Sequence, residues 1–221
     1  GDKFNLHLSN CVEFLFLWFA AAKLGAVVMP TNVAASADEL EYLVEHSESR
    51  LIFTQPDYLE TARVVAKRCD GVNHIVLCGG DADGTKSFAD LHSAASDTAP
   101  AHDPAAEDDV AILYTSGTTS RPKGVLVTNA NYIYAGETVA KALALRPQDR
   151  HLTVLPLFHG NAQYYSTMSA LVTGASMVLS ARFSASRYFD QAIHHDCTVS
   201  SLFSAPMRML LAQPRNKAHV N

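Results

Sequence analysis

The sequence lacks several features that mark membrane, secreted and nucleic-acid-binding proteins. Its longest apolar run, residues 14–22, is far shorter than the roughly 20 residues that a membrane-spanning helix needs. No basic region precedes this run, as one would in a signal peptide, and Asn-x-Ser/Thr acceptors are missing. The formal net charge of −5 leaves no basic footprint for nucleic acid. These absences predict no integral membrane segment and no nucleic-acid partner.

Cysteine and metal-ligand patterns are also scarce. The four cysteines share no CxxC spacing and stand at Cys11, Cys69, Cys78 and Cys197. This pattern predicts buried, reduced thiols and a cytoplasmic location. The run from His194 to Cys197 includes two adjacent histidines, which point about 100° apart on a helix and cannot easily share one ion. No metal site is therefore predicted.

The 221 residues carry alternating helix and strand signals. Helices are predicted at 11–23 (capped by Asn10), 36–46 (opened by the capping box of Ser36 and Glu39), 57–68, 129–145, 162–171, 184–195 (capped by Ser184) and from Pro206 onward. Strands are predicted at 26–29, 50–54, 74–78, 110–115, 124–127, 150–155, 176–179 and 199–203. This order favours an α/β fold, with α-β-α layers around largely parallel sheets, because such apolar strands are covered on both faces.

One stretch interrupts this alternation. Residues 94–109 have no periodicity and contain two prolines, which is typical of a surface linker. The sequence therefore predicts a first α/β subdomain at 1–93, a linker at 94–109 and a second α/β subdomain at 110–221.

The clearest chemical signal is a loop rich in hydroxyl groups between two predicted strands. Five of the six residues from Thr115 to Ser120 carry hydroxyls, and Arg121, Pro122 and Lys123 follow. Hydroxyls and exposed backbone N–H groups donate hydrogen bonds to phosphate oxygens, and a glycine such as Gly117 lets a ligand approach closely.

Two other interpretations of this loop need weighing. It could be a Ser/Thr-rich surface loop, although such loops rarely place Lys and Gly after a proline at this offset. A Walker loop would end in Gly-Lys-Ser/Thr and open a helix. Here Lys123 precedes Gly124, no hydroxyl residue follows, and a strand is predicted next, so the Walker interpretation is rejected.

The run Tyr-Thr-Ser-Gly-Thr-Thr-Ser-Arg-Pro-Lys-Gly-Val at 114–125 resembles the signature of the adenylate-forming superfamily. That superfamily includes acyl-CoA synthetases, peptide-synthetase adenylation domains and beetle luciferases. The opening from Gly1 and the stretches 153–163 and 182–185 resemble the same family, so the likeness covers essentially the whole chain. Ser120 stands where a glycine is commonest, and this variant resembles the crotonobetaine/carnitine-CoA ligase group.

The resemblance implies an AMP-forming acid:CoA ligase that uses ATP, Mg2+, coenzyme A and a small carboxylic acid. The carboxylate attacks the α-phosphorus of ATP, pyrophosphate leaves, and a thiol then attacks the acyl carbon. The residues implied to hold the β- and γ-phosphates are Thr115, Ser116, Gly117, Thr118, Thr119 and Lys123. Lys123 would also act catalytically by neutralising the leaving pyrophosphate.

His159 is the second catalytic residue that the resemblance implies, near the adenylate and the acyl group. The residues implied to line the substrate pocket are Phe158, His159, Gly160 and Gln163. The alternative is a capping or core histidine, which is the commoner fate of a single histidine. For a trimethylammonium acid such as carnitine, Tyr164 and Tyr165 could supply aromatic faces, or they could pack against a sheet.

The resemblance also implies an incomplete N-terminal domain. The family's magnesium-placing Thr-Glu stretch, its ribose-binding Thr-Gly-Asp stretch and the small C-terminal domain with its catalytic lysine do not occur before Asn221. We therefore expect this piece alone to be inactive. The open alternatives are adenylation without coenzyme A and a non-catalytic binding module of the same fold. Homo-oligomers are common among such enzymes, but the sequence indicates no interface.

Overall fold

A computed structural model describes residues 1–98, 100–115, 121–214, 216 and 219. The chain divides into two compact units, Gly1–Ala130 and Asn131–Asn221. Each unit is described by itself. None of the helices in the described part of the chain combines the length and the hydrophobicity that crossing a bilayer requires.

The first unit alternates strands and helices as far as its final hairpin. Its strands are β1 (Lys3–His7), β2 (Val27–Pro30), β3 (Leu51–Thr54), β4 (His74–Leu77), β5 (Lys86–Ser87), β6 (Asp109–Thr115) and β7 (Lys123–Thr128). Its helices are α1 (Val12–Leu24), α2 (Ala37–Ser47), a 3-10 turn (Pro56–Tyr58), α3 (Leu59–Arg68) and α4 (Phe88–Ala94). Helix α5 (Asn129–Ala142) begins at the end of this unit.

These seven strands form one sheet in the order β5-β4-β3-β1-β2-β6-β7. Every neighbouring pair runs parallel except β6 and β7, which pair antiparallel as a hairpin. Consecutive residues of β3, Ile52 and Phe53, are both buried, so both faces of the sheet are covered. The predicted α/β fold with a largely parallel sheet is confirmed.

The packing of α2 and α3 explains their positions. Both helices are amphipathic, and their apolar faces join the strands in one core cluster that includes Leu40, Val44, Ala62, Val65 and Ile52. Helix α1 packs on β2 and β6, and its buried Phe14 and Trp18 lie outside that cluster.

Helix capping follows the sequence in one case and departs from it in another. The capping box that opens α2 is confirmed, because Ser36 accepts from the Glu39 backbone N–H at 3.3 Å and Glu39 accepts from the Ser36 N–H at 2.8 Å. The prediction that Asn10 caps α1 is wrong. Cys11 occupies the cap position without a side-chain cap hydrogen bond, and Asn10, which precedes it, is buried.

The second unit is smaller and contains a two-stranded parallel sheet. Its elements after α5 are β8 (Arg150–Thr153), a π-helix (Asn161–Met168), α6 (Ser169–Thr173), β9 (Ser176–Leu179), α7 (Tyr188–His194) and α8 (Ser204–Leu211). Leu152, Val154 and Tyr188 form the centre of its core.

Two element predictions fail in this unit. The strand predicted at 199–203 is only a single bridge from Val199 to His151, because the Ser200 hydroxyl donates to the Leu152 carbonyl at 2.7 Å and takes the place of a second backbone pair. The helix predicted from Ser184 begins only at Tyr188, since the Arg187 N–H closes a turn onto the Ser184 carbonyl.

The compact units differ from the predicted subdomains at 1–93 and 110–221. Strand β6 pairs with β2 through Val28 and Ala111, so the strands after the predicted linker complete the sheet that precedes it. The described residues of segment 94–109 are largely exposed, but the segment lies inside the first unit.

Candidate functional site

The β6–β7 hairpin carries the first group of predicted site residues. Thr115 and Lys123 are register partners at its end, and the Thr115 Oγ1 lies 3.5 Å from the Lys123 carbonyl. Both side chains are exposed. Thr115 and Lys123 therefore lie opposite each other at the two ends of the loop.

The loop between these two residues includes four further predicted phosphate ligands, and these lie outside the described residues: Ser116, Gly117, Thr118 and Thr119. Strand β6 ends at Thr115 and strand β7 begins at Lys123, and the two strands pair antiparallel, whereas a Walker loop leads into a helix.

A second group of predicted residues lies between β8 and the π-helix. The His159 N–H donates to the Pro156 carbonyl at 3.0 Å and closes a turn. The His159 side chain is exposed, and its ring centroid lies 4.3 Å from that of Phe158. Partial desolvation lowers the pKa of His159, which favours the neutral imidazole.

Gln163 lies beneath this turn. Its side chain is 1% exposed, its Nε2 donates to the Leu157 carbonyl at 2.6 Å, and its Oε1 accepts from the Tyr132 hydroxyl. The amide thus connects α5 to the peptide that precedes Phe158. The predicted contact of Gln163 with a substrate stays a prediction, whereas its bracing of this turn is a feature of the structure.

The π-helix gives this region its wider backbone geometry. The Thr167 hydroxyl donates to the Ala162 carbonyl, five residues earlier, at 2.9 Å. Helix α5 approaches closely here, because a Cβ built on Gly136 would lie 2.8 Å from the Met168 carbonyl oxygen. π-Helical turns occur frequently at functional sites, and this one begins directly after residues 158–160 of the predicted substrate pocket.

Two tyrosines on the π-helix differ in exposure. Tyr164 is half-buried with its ring 5.1 Å from that of Tyr132, and desolvation raises the pKa of Tyr164. Tyr165 is 46% exposed. Tyr164 therefore packs within the unit, whereas Tyr165 is more exposed.

Among the residues that the structure describes, no group of three or more His, Cys, Asp or Glu side chains is arranged to hold a metal ion. The His194 and His195 rings stand at 78° to each other, with centroids 4.6 Å apart.

Tyr132 is the site residue that sequence reasoning missed. It lies 31 positions before Gln163, so no local motif links the two. The available signal was weak: Tyr132 and Gly136 are one turn apart on α5, and a glycine inside a helix indicates close packing.

Comparisons with known proteins extend over the whole chain. A family model described as AMP-binding enzyme matches residues 1–221. A crotonobetaine/carnitine–CoA ligase of Salmonella agona (strain SL483) is 37% identical over 219 residues, which is 97% of this chain and 42% of that protein. The chain thus spans less than half the length of that curated relative.

Solved structures agree with this likeness. The N-terminal domain of FACL13 from Mycobacterium tuberculosis, with inhibitor bound, has a TM-score of 0.85 at 27% identity and matches 97% of this chain and 52% of its own. ATP-bound MatB from Rhodopseudomonas palustris has a TM-score of 0.83 at 26% identity and matches 97% of this chain and 41% of its own.

Proposed function

The chain belongs to the AMP-binding enzyme family, and from this premise we propose that the protein containing it is an ATP-dependent, AMP-forming acid:CoA ligase. The observation that carries the proposal is the β6–β7 hairpin, which presents Thr115 and Lys123 together at the ends of a hydroxyl-rich loop. The similarity to crotonobetaine/carnitine–CoA ligases along the whole chain supports it.

In the first step, a carboxylate oxygen of the acid bonds to the α-phosphorus of ATP, and the bond from that phosphorus to the bridging oxygen breaks. Pyrophosphate leaves with the electron pair. Lys123 places a positive charge beside the departing phosphates, and Thr115 together with Ser116, Gly117, Thr118 and Thr119 donates hydrogen bonds to their oxygens. Such fixed donors act mainly by stabilising charge that develops in the transition state.

In the second step, the coenzyme A thiol reacts as its thiolate: the sulfur bonds to the acyl carbon, and AMP leaves with the electron pair of the broken carbon–oxygen bond. His159, Phe158 and Gly160 line the pocket that holds the acyl group in this proposal. The lowered pKa of His159 keeps its imidazole neutral near pH 7, so it meets the carboxylate as a hydrogen-bonding group. Gln163 fixes the turn on which His159 stands.

Magnesium would enter with ATP, since Mg2+ in nucleotide sites is bound largely by substrate phosphates and one or two carboxylates. The described residues include no acidic cluster for it. The hydroxyls and Lys123 of the loop fit the phosphate part of a metal–nucleotide complex.

The acid itself is proposed to be small and of the carnitine or crotonobetaine type. The exposed ring of Tyr165 fits a trimethylammonium group, because quaternary ammonium ions bind to aromatic faces.

The proposed location is the cytoplasm, a reducing compartment, which the four free cysteines support. The 221 residues alone are proposed to be inactive, because the family's magnesium-placing Thr-Glu stretch and ribose-binding Thr-Gly-Asp stretch do not occur among them.

The test is pyrophosphate release by the full-length protein with MgATP, with and without coenzyme A, over a panel of carnitine, crotonobetaine and fatty acids. Release that depends on one acid, together with thioester formation when coenzyme A is added, would support the ligase. Release without any thioester would indicate adenylation alone. A folded protein that releases no pyrophosphate with any acid would contradict the proposal and favour a binding module.

A further inference from the structure

Helix α2 contacts residues 121 and 122, at the end of the loop that leads into β7. The Tyr42 hydroxyl donates to the Pro122 carbonyl at 3.1 Å. The Arg121 guanidinium lies 5.2 Å from the centroid of the Tyr42 ring, within the range of a cation–π interaction. One tyrosine therefore engages both residues that immediately precede Lys123.

The same helix also contacts β6, just before the loop. His46 Nδ1 lies 2.6 Å from the Tyr114 hydroxyl, and the two rings meet edge to face with centroids 5.7 Å apart. Burial raises the pKa of Tyr114 to about 12, so its phenol stays protonated, and the imidazole tautomer sets which of the two groups donates the hydrogen bond. Tyr114 is the residue that immediately precedes Thr115.

These two contacts come from one face of α2. Tyr42 and His46 are one turn apart, with ring centroids 5.5 Å from each other, as expected for residues four positions apart on a helix. The helix is itself fixed, because Leu40 and Val44 are buried in the core and the capping box holds its first turn. The helix can therefore hold both ends of the loop in fixed positions.

We propose that Tyr42 and His46 are positioning residues that hold the two arms of the hairpin at the separation needed to bind the β- and γ-phosphates of ATP. This inference rests on the function proposed above. Neither residue lies within the loop, so both act through Tyr114 and Pro122. Small displacements of groups that position a phosphate have large effects on reactivity, and a brace on each arm limits such displacement.

Loss of this brace and a general loss of stability would affect nucleotide binding differently. AMP has no β- or γ-phosphate, so its affinity should not depend on the brace, whereas the affinity of ATP should. Likewise, attack of coenzyme A on an acyl-adenylate supplied from outside involves no pyrophosphate. The brace therefore matters for the first half-reaction and not for the second.

The experiment measures ATP and AMP affinity of the full-length protein by calorimetry for Tyr42→Phe, His46→Ala and the double variant. Loss of one ordinary hydrogen bond should weaken ATP binding about 3- to 10-fold in each single variant. AMP affinity should stay within about twofold of the wild type, as should thioester formation from added acyl-adenylate. The Tyr42→Phe change removes only the hydroxyl, so folding should survive.

Matched controls change the same residue types elsewhere. Tyr134→Phe alters a tyrosine that is 73% exposed on α5, and His74→Ala alters an exposed histidine at the start of β4. Both should leave ATP and AMP affinity unchanged.

The outcomes separate the two proposals. Equal weakening of ATP and AMP binding, or no weakening of either, would overturn the positioning role while leaving the ligase intact. A wild-type protein that binds neither nucleotide would overturn the ligase, and the positioning role with it.

Discussion

Gly124 lies directly opposite Tyr114 in the β6–β7 hairpin, and a Cβ built on Gly124 would lie 3.3 Å from the Tyr114 ring. The same Cβ would approach Ile112 Cγ2 to 2.8 Å. A glycine here lets the tyrosine cross the neighbouring strand, and this places its hydroxyl on His46. Gly124, which follows Lys123 in the loop signature, thus has a packing role.

Gly124→Ala should therefore lower the free energy of unfolding by about 1–3 kcal/mol, the usual cost of overpacking. The matched control is Gly71→Ala, because a Cβ at Gly71 meets nothing within 4 Å. It should be neutral or slightly stabilising, since alanine restricts the unfolded chain. Urea unfolding of both variants checks this, and equal midpoints would contradict the packing argument.

Gly136→Ala should destabilise the protein more than a typical helix substitution, by about 1–3 kcal/mol or more. Alanine is normally favoured over glycine inside a helix by about 1 kcal/mol. Here the new Cβ would meet backbone atoms of Met168 at 2.8 and 2.9 Å, which cannot rotate away. A rise in melting temperature would show that α5 can move off the π-helix at little cost.

Tyr132→Phe should cost about 1–3 kcal/mol, because it leaves the buried Oε1 of Gln163 without its donor. Gln163→Leu should cost a similar amount, since it leaves the Leu157 carbonyl without the Nε2 donor. The two residues are in contact, so a double-mutant cycle should give a coupling energy of about 0.5–3 kcal/mol. Strict additivity would mean that the two residues do not form one brace.

Lys123→Ala should reduce pyrophosphate release by the full-length protein about 100- to 1,000-fold, as expected when one fixed charge is removed from a transition state. Its melting temperature should not change, because Lys123 is exposed. Lys141→Ala, on the last turn of α5 and also exposed, removes the same charge and should keep full activity. Unchanged kinetics of Lys123→Ala would remove the proposed role of the loop.

His7 should make the protein less stable in mild acid. Burial lowers the pKa of His7 to about 4, below the value of about 6.5 in an unfolded chain. Between these values the unfolded state binds more protons, so stability is complete above about pH 6.5 and falls as the pH drops toward 4. The total effect is about 3 kcal/mol.

Unfolding curves from pH 8 to 4 for the wild type and for His7→Gln measure that contribution. The variant should be less stable at pH 8, where it loses the contact between His7 Nδ1 and the Thr31 hydroxyl, and should show a shallower loss in acid. Parallel pH profiles would assign the acid sensitivity to other groups, of which His151 is one, since burial also lowers its pKa.

Much of the fold follows from local patterns. The capping box at Ser36 and the apolar strands predict α2, β3, β4 and β9 within a residue or two, because these signals are carried by neighbouring residues. Strand β1 was missed for a physical reason. It buries two polar residues, Asn5 and His7, whose partners are Met29 on β2 and Thr31 just after it, 24 and 26 positions away.

In the candidate site, too, the features carried by neighbouring residues were predicted, and those that depend on distant contacts were not. The sequence predicts that Thr115 and Lys123 flank a loop between strands, since one continuous motif carries both. It does not predict the contact of Tyr42 with Pro122 across 80 positions. The π-helix at 161–168 was not predicted either, and its close contact with α5 joins Met168 to Gly136, which lies 32 positions earlier.

The position of β1 has a consequence for the order in which the sheet can assemble. This strand precedes both of its neighbours in the chain, yet it lies between them in the sheet. During synthesis it emerges with two unpaired edges and must wait for β2 and then β3. Parallel pairings between distant segments form slowly and leave such edges open to association. Nascent chains that stall after β1 are therefore expected to depend on chaperones more than chains that have reached Thr54.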